Sequence, residues 1–237
     1  MVDRFDILGH ALCDTGHYLD ARGHFAGTDG NISVRLPARC SRDADRVMIT
    51  PSGVRKGRIE PSDLCVMSLD MTDPRGSNCR GRVPSSESKM HLAIYRGRSD
   101  VGAIIHAHSP YSVAWACSGL PVPEGLHPEA EVHLGTVPVV PYWMPGSVRV
   151  AAQVARTARS PDTTCLLMAN HGAVAFGRTL DEAADRLDML EAYLKMVVAL
   201  RQIGAEDPLS ARNLDDLRKW AKRGSQPQGA DEADPED

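Results

Sequence analysis

Residues 84–108 of the chain read PSSESKMHLAIYRGRSDVGAIIHAH and contain a helix pattern followed by a strand pattern. Hydroxyl side chains open residues 85–96, where Met90 and Ile94 recur at helical spacing, so this segment predicts a helix with one apolar face. Residues 101–108 are mostly apolar, which is typical of a buried strand. A helix that leads directly into a buried strand indicates a layered α/β protein.

The same two patterns alternate along the rest of the chain. Helices are predicted over residues 3–22, 111–118 and 148–158, and a long one begins at the capping box of Thr179 and Glu182. Strands are predicted over residues 31–36, 47–49, 64–69, 137–140, 165–169 and 173–176. Several connections are short turns, which suit antiparallel pairs. We therefore expect one α/β domain over residues 1–224, with a mixed sheet.

The composition is that of an ordinary soluble globular protein, with 42% hydrophobic and 24% charged residues over 237 positions. No apolar run approaches the roughly 18 residues of a membrane span, and the first residues lack the apolar core of a secretory signal. Five of the 31 acidic residues lie in residues 231–237, so the rest of the chain is nearly neutral. We expect a cytoplasmic protein without nucleic-acid or membrane partners, with six reduced cysteines and a disordered acidic tail at residues 225–237.

Two histidines, His106 and His108, lie two positions apart at the end of the strand predicted over residues 101–108. Side chains alternate along a strand, so both imidazoles point to one face and can hold the same metal ion. Such pairs also occur as surface histidines or as hydrogen-bonded core histidines. His171 follows the apolar strand 165–169 in a tight Asn-His-Gly turn and offers a third imidazole. Three neutral imidazoles with an open fourth position are typical of a catalytic zinc site.

Ser85, Ser86 and Glu87 stand at the start of the helix predicted over residues 85–96. One interpretation is structural, because a serine caps a helix and an acid in the first turn favours its dipole. The other is functional, because hydroxyls and free amides at a helix N-terminus bind phosphate. Glu87 then projects from the same turn as a carboxylate base. The residues alone leave both interpretations open.

Two glycine-containing turns, residues 27–31 (GTDGN) and 50–53 (TPSG), have the composition of phosphate-binding loops. Neither matches the dinucleotide motif GxGxxG or a P-loop. Glycine, asparagine, proline and serine also build ordinary turns, so each motif alone is weak evidence for a phosphate site.

Four segments together resemble the class II aldolase/adducin family: residues 23–36 (GHFAGTDGNISVRL), 49–57 (ITPSGVRKG), 84–108 (quoted above) and 170–177 (NHGAVAFG). Their order and spacing fit that family over residues 3–204. The resemblance implies a three-layer α/β/α sandwich on a mixed, largely antiparallel central sheet. It also implies a homotetramer with active sites at the subunit interfaces.

The resemblance assigns a role to each motif residue. His106, His108 and His171 would bind one zinc ion per subunit, with Mn²⁺ or Co²⁺ as alternatives, and Glu87 would be the acid/base. The residues that would hold the substrate phosphate are Thr28, Gly30, Asn31, Ser52, Gly53, Ser85 and Ser86.

The implied activity is reversible, zinc-dependent cleavage of a ketose 1-phosphate to dihydroxyacetone phosphate and an aldehyde. The ketose would be of the L-fuculose-1-phosphate or 5-deoxypentulose-1-phosphate type. A divalent cation stabilises the enediolate that cleavage leaves, and a carboxylate moves the proton. The same fold hosts ribulose-phosphate 4-epimerases, a methylthioribulose-phosphate dehydratase, sugar-acid phosphate decarboxylases and the non-catalytic adducin head. The three histidines and Glu87 argue against the binding module, whereas the motifs do not separate the enzymes.

The chain departs from the fuculose-phosphate aldolase pattern in residues 124–135. Those aldolases carry a tyrosine there, contributed from a neighbouring subunit, and this stretch contains none. Ungapped counting puts His127 at that position, where it would donate a proton to the aldehyde oxygen, although an exposed loop histidine is the simpler interpretation. The aldehyde half of the substrate is therefore not specified by the motifs.

Overall fold

The computed structural model describes residues 4–36, 45–70 and 81–224. The acidic tail predicted at residues 225–237 lies outside this part of the chain, as does most of the loop predicted at 71–84. The strands are β1 (Asn31–Leu36), β2 (Arg46–Ile49), β3 (Cys65–Ser68), β4 (Ala103–Ala107), β5 (Val139–Val140), β6 (Cys165–Met168) and β7 (Gly172–Gly177). The helices are α1 (Arg4–Ala21), α2 (Ser88–Gly97), α3 (Pro110–Ser118), α4 (Pro128–Leu134), α5 (Val148–Thr157), α6 (Leu180–Ile203) and α7 (Ala211–Gly224).

The strands form one seven-stranded sheet in the order β3-β2-β1-β4-β7-β6-β5. Neighbouring strands pair antiparallel, except for β5 and β6, which are parallel. The strand that carries His106, β4, therefore lies at the centre between β1 and β7. This topology confirms the predicted mixed, largely antiparallel sheet.

Successive side chains of β4 enter two separate apolar cores, as alternation along a strand requires. Ile105 belongs to the core that the sheet forms with α1, α3, α4 and α6, and Ile104 to the core formed with α2 and α5. Both isoleucines are fully buried, and burial of such a side chain contributes about 1.5–3 kcal/mol. Helices thus cover both faces of the sheet, which confirms the three-layer α/β/α architecture.

Two helices differ from the prediction. α2 begins at Ser88, three positions later than predicted, because residues 84–87 first form a turn in which the Ser85 carbonyl accepts from the Ser88 amide at 3.0 Å. The sequence pattern does not predict α4, because its seven residues begin with a proline and are too few to show a helical period. Both differences fall next to predicted site residues, Glu87 and His127.

The cysteines follow the prediction only in part. Cys13, Cys117 and Cys165 are free thiols. Cys65 in β3 is disulfide-bonded, so the expectation of six reduced cysteines is wrong. A disulfide requires two cysteines at bonding distance in the fold, and spacing along the chain does not show that.

The long helix α6 begins as predicted, with Thr179 Oγ1 accepting a hydrogen bond from the Glu182 amide at 3.1 Å. Its 24 residues include charged side chains on several turns. Across the described ranges, no helix combines the length and the apolar content needed to cross a membrane.

Candidate active site

The site is centred on the end of β4. His106 and His108 project to the same side of this strand, and their Nε2 atoms lie 3.1 Å apart. His106 is fully buried, whereas the side chain of His108 is 24% exposed. Hydrogen bonding of β4 to both β1 and β7 holds the two imidazoles in a rigid part of the sheet.

The turn between β6 and β7 brings His171 to the same place. Asn170 adopts a φ of 56°, in the left-handed region that asparagine tolerates better than most residues. The His171 amide then donates to the Met168 carbonyl at 3.0 Å, which closes the tight turn. The His171 ring centroid lies 4.8 Å from that of His106 and 4.9 Å from that of His108. The three histidines predicted from separate segments therefore form one cluster.

Hydrogen bonds at Nδ1 orient two of the three rings. His106 Nδ1 donates to the Ala173 carbonyl at 2.8 Å, and His108 Nδ1 lies 3.3 Å from the Asp29 carboxylate. An imidazole that donates through Nδ1 has its lone pair on Nε2, and this tautomer is the one that binds a metal through Nε2. Asp29 thus orients one ring of the histidine cluster, a role that sequence reasoning missed although its neighbours Thr28 and Gly30 were singled out.

Glu87 lies against this cluster from the N-terminal end of α2. Its Oε2 atom is 3.1 Å from His106 Nε2 and accepts a hydrogen bond from Asn31 Nδ2 at 2.9 Å, and its Oε1 atom is 3.5 Å from His171 Nε2. Burial opposes the ionised form of Glu87, but the attraction of His106 and His171 and the Asn31 hydrogen bond outweigh it and lower the carboxyl pKa. Glu87 is therefore an ionised, largely buried carboxylate.

The donor set fits a divalent metal ion. One nitrogen from each histidine lies within 4.8 Å of the others. Burial, and then the charge of His106, lower the pKa of His171 to about 4, so this ring is neutral at physiological pH. Glu87 Oε1 is buried without a hydrogen-bond partner among the described residues, and a cation would satisfy it. Three imidazole nitrogens beside one carboxylate are ligands that suit zinc.

A bridge between two turns forms the other wall of the site. Pro51 and Pro84 pair as an isolated antiparallel bridge. The Ser52 amide donates to the Val83 carbonyl at 2.8 Å, and the Ser85 amide donates to the Thr50 carbonyl at 3.2 Å. These bonds join the turn at residues 50–53 to the start of α2, so their hydroxyl groups face one space.

That space is a cavity of about 260 Å³ beside the histidines. All seven residues predicted to bind phosphate line it, together with Glu87, His108 and His171. The remaining lining residues are Asp29, Pro51, Lys56 and Pro145. The two glycine-containing turns and the Ser-Ser-Glu segment, each weak as a separate signal, thus contribute to a single pocket.

Lys56 is a site residue that the sequence reasoning missed. Its side chain is almost fully buried, and Nζ donates to the Thr28 carbonyl at 2.6 Å and to the Val54 carbonyl at 3.2 Å. Among the described residues that line the cavity, Lys56 is the one lysine or arginine. It lies within the segment ITPSGVRKG. The only sequence evidence for its role is that it follows the turn at residues 50–53, which contains predicted phosphate-binding residues.

Of the two residues predicted to be catalytic, Glu87 lines the cavity of the described chain and His127 does not. It is the N-cap of α4, and its Nδ1 accepts from the Ala130 amide at 3.3 Å. Its Nε2 lies 3.4 Å from the Glu129 carboxylate, and the side chain is 42% exposed. Within one chain, His127 has a helix-capping role.

Comparison with known proteins agrees with this geometry. The family model of the Class II Aldolase and Adducin N-terminal domain matches residues 10–198. The 3-oxo-tetronate 4-phosphate decarboxylase of Escherichia coli is 35% identical over 183 residues, which cover 76% of this chain and 80% of that protein. The L-fuculose phosphate aldolase of Methanocaldococcus jannaschii is 32% identical over 177 residues, covering 75% of this chain and 88% of that protein. The crystal structure of YgbL from Escherichia coli has a TM-score of 0.80 at 30% identity and covers 90% of this chain and 99% of that one.

The family match extends over most of the chain, including the histidine cluster, Glu87 and the turns that face them. The chain therefore belongs to the class II aldolase and adducin family.

Proposed function

We propose that the protein is a metal-dependent lyase that removes carbon dioxide from a phosphorylated 3-oxo sugar acid of the 3-oxo-tetronate 4-phosphate type. One observation carries this proposal. A buried carboxylate, Glu87, lies against three clustered histidines beside a cavity that is also lined by hydroxyl groups, glycines and one lysine. Such a cavity accommodates a substrate with a phosphate at one end and a ketone at the other.

The chemistry follows from the position of the ketone. In a 3-oxo acid the carboxyl group is attached to the carbon next to the ketone carbon. The electron pair of the bond that breaks can therefore delocalise onto the ketone oxygen as carbon dioxide leaves. A zinc ion bound by His106, His108 and His171 would supply Lewis-acid stabilisation of the negative charge on that oxygen. The carbon then takes up one proton, and the product is dihydroxyacetone phosphate.

Glu87 is the residue that we assign to the proton transfer. Its Oε2 atom accepts the hydrogen bond of Asn31, whereas Oε1 has no hydrogen-bond partner among the described residues. Glu87 is ionised at rest, so Oε1 is the oxygen that would take up a proton from solvent and pass it to the carbon as carbon dioxide leaves. A positioned acid or base of this kind contributes about 10²–10⁴-fold to the rate.

The phosphate would bind at the opposite wall. Ser85 and Ser86 offer hydroxyl groups, and the Ser52 hydroxyl, which donates to the Pro84 carbonyl at 3.2 Å, would turn to the anion. Gly30 and Gly53 let the backbone approach the anion closely. Asn31 retains a second amide hydrogen besides the one bound to Glu87. Thr28 completes the first turn, and Lys56 adds positive charge. Phosphate binding at a distance from the reacting carbon orients the substrate.

Two observations favour decarboxylation. Aldol cleavage requires a second group that exchanges a proton with the oxygen that becomes the aldehyde, and decarboxylation has no such oxygen. Among the titratable side chains that line the cavity of the described chain, Asp29 is bonded to His108 and Lys56 to two carbonyls. The other titratable side chains that line it, Glu87, His108 and His171, are already assigned to metal binding and proton transfer, so none is left for the second proton. The 35% identity to the decarboxylase supports the same reaction.

Aldol cleavage of a ketose 1-phosphate is the second candidate, and the 32% identity to the fuculose-phosphate aldolase favours it. In that case the proton donor would be His127 of a neighbouring copy in a homotetramer. Its half-exposed ring is accessible from outside the chain. Dihydroxyacetone phosphate is a product of both reactions, so the second product distinguishes them.

The test measures both products from one preparation with known zinc content. Dihydroxyacetone phosphate is followed by a coupled glycerol-phosphate dehydrogenase reaction, and carbon dioxide and aldehyde are measured separately. With 3-oxo-tetronate 4-phosphate we expect equal amounts of dihydroxyacetone phosphate and carbon dioxide. If only ketose 1-phosphates are turned over, giving dihydroxyacetone phosphate and an aldehyde, the second candidate replaces the leading one. Turnover of neither substrate would refute both.

A further inference from the structure

Behind Glu87, a chain of hydrogen bonds leads from the site into the core. Asn31 Nδ2 donates to Glu87 Oε2, and Asn31 Oδ1 lies 2.5 Å from His91 Nε2. On the other side of the His91 ring, Nδ1 lies 2.7 Å from Ser33 Oγ, which is 2.9 Å from the Tyr95 hydroxyl. Asn31, Ser33, His91 and Tyr95 are each at most 2% exposed.

The donors and acceptors in this chain have one consistent direction. The Asn31 Oδ1 atom can only accept, so His91 Nε2 carries the hydrogen and donates it. Burial lowers the pKa of His91 to about 3, so the ring is neutral and its Nδ1 must accept from the Ser33 hydroxyl. Ser33 Oγ then accepts from the Tyr95 hydroxyl. Every hydrogen in the chain points toward Glu87.

This direction determines which end of the Asn31 amide faces Glu87. With Oδ1 bound to His91, Nδ2 is the end that meets the carboxylate. If the amide turned over, its oxygen would face a carboxylate oxygen at about the same distance, and its nitrogen would face the N–H of His91. Both contacts would be repulsive, and neither group is exposed to water that would relieve them.

Two elements of the fold bring these residues together. Asn31 and Ser33 lie on one face of β1, two positions apart, and His91 and Tyr95 lie four positions apart on one face of α2. Glu87 precedes His91 by four positions, so Glu87, His91 and Tyr95 follow the same side of the helix. The contact between β1 and α2 thus consists, at this point, of polar side chains that lead to the catalytic carboxylate.

We propose that His91 is a positioning residue, which holds the Asn31 amide in the orientation that fixes Glu87 for proton transfer. This inference rests on the proposed role of Glu87 and extends it to residues that do not touch substrate. His91 does not line the cavity. Its effect passes through Asn31.

The test compares two substitutions of His91. In His91→Gln, the side-chain amide nitrogen occupies the place of Nε2 and can donate to Asn31 Oδ1. In His91→Phe, the ring keeps its volume but donates nothing, and the Asn31 oxygen is left unpaired. We expect kcat of His91→Phe to fall roughly 10- to 100-fold, as for a displacement of a catalytic group by about 1 Å. KM should change less than kcat, because only the Asn31 donor of the phosphate site is disturbed and the donors of Ser85, Ser86 and the turn at residues 50–53 are kept, and His91→Gln should recover most of kcat.

A second readout does not depend on activity. In ¹⁵N-labelled protein, the side-chain amide signal of Asn31, assigned by its loss in Asn31→Asp, should shift in His91→Phe and return in His91→Gln. His17→Phe is the control, because His17 is an exposed histidine outside the cavity lining, whose ring Nε2 contacts the backbone carbonyl of Ile59. It should leave kcat and the Asn31 signal unchanged.

The smaller change Ser33→Ala keeps the inference testable where His91→Phe does not fold. It removes the donor to His91 Nδ1, so kcat should fall in the same direction but less. Wild-type kcat and an unmoved Asn31 signal in His91→Phe, or in Ser33→Ala when His91→Phe is unfolded, would overturn the inference. Unchanged turnover in Glu87→Gln would instead refute the proposed function, whereas the Asn31 signal would still report on the hydrogen-bond chain.

Discussion

Substitution of Lys56 by methionine tests the anion-binding half of the cavity. The ammonium group has three N–H donors, and the Thr28 and Val54 carbonyls take two of them. The third donor is available to a substrate phosphate. Methionine keeps most of the apolar stem, so Lys56→Met removes the charge and the donor with little change in volume.

The expected loss follows from one hydrogen bond to a charged group, which contributes about 1.5–3 kcal/mol. At about 1.4 kcal/mol per tenfold change, kcat/KM should fall roughly 10- to 150-fold. The loss should appear mainly in KM, because the phosphate does not take part in bond breaking.

The pH dependence gives a sharper signature. Burial lowers the pKa of Lys56 to about 8, although Asp29, Asp20 and Glu87 act in the opposite direction. Lys56 is therefore a cation below about pH 8 and becomes neutral above it. In the wild-type protein KM should be constant below pH 8 and rise above it, whereas in Lys56→Met it should be high at every pH.

Steady-state kinetics from pH 6.5 to 9.5, with titration calorimetry of inorganic phosphate, measure this effect. Arg58→Met is the matched control, because Arg58 is a cation two positions away that is exposed and does not line the cavity. An unchanged KM in Lys56→Met, or a KM that rises above pH 8 in both proteins alike, would refute the assignment of Lys56 to the phosphate site.

Three further predictions concern the metal and the proton transfer. Glu87→Gln should keep nearly wild-type zinc content and lose at least about 10²-fold in turnover, because an amide cannot carry the proton; normal turnover with normal zinc would remove Glu87 from the mechanism. His106→Ala or His171→Ala should lose bound metal and activity together, which metal analysis of the folded variant measures. Full zinc content in either variant would refute the assignment of that histidine as a ligand. Asp29→Asn should weaken metal affinity about 10- to 100-fold in a chelator competition, since the carboxylate orients His108; unaltered affinity would mean that this contact is incidental.

Most of the sheet could be predicted from the sequence because each central strand is a short apolar run between turn residues. The same holds for part of the histidine cluster, since His106 and His108 are related by the two-residue period of a strand. Sequence spacing does not show that His171 lies beside that pair. The pairing of β4 with β7 brings it there. The short helix α4 has too few residues for a periodic pattern.

The supporting residues could not be predicted, because their roles depend on contacts between distant segments. Asp29 matters through His108, Lys56 through the carbonyls of two turns, and His91 through Asn31. A sequence pattern shows neither burial of a lysine in a turn nor the partner of a core histidine. The i, i+4 spacing of Glu87 and His91 was the one available signal for the hydrogen-bond chain behind the site.

The pairing of β1 with β4, which sets Asn31 opposite His106, has a consequence for how the protein folds. The hydrogen bond from Asn31 to Glu87 spans 56 positions of the chain, and that from His106 to the Ala173 carbonyl spans 67. Contacts this far apart in sequence close large loops, and chains that depend on them fold slowly, in about milliseconds to seconds. A shift of the β1–β4 register by one residue would turn Asn31 and Ser33 to the opposite face of the sheet. Assembly of the histidine cluster therefore has to follow the completion of the sheet, so binding of the proposed metal ion during refolding should mark the last steps rather than the first collapse.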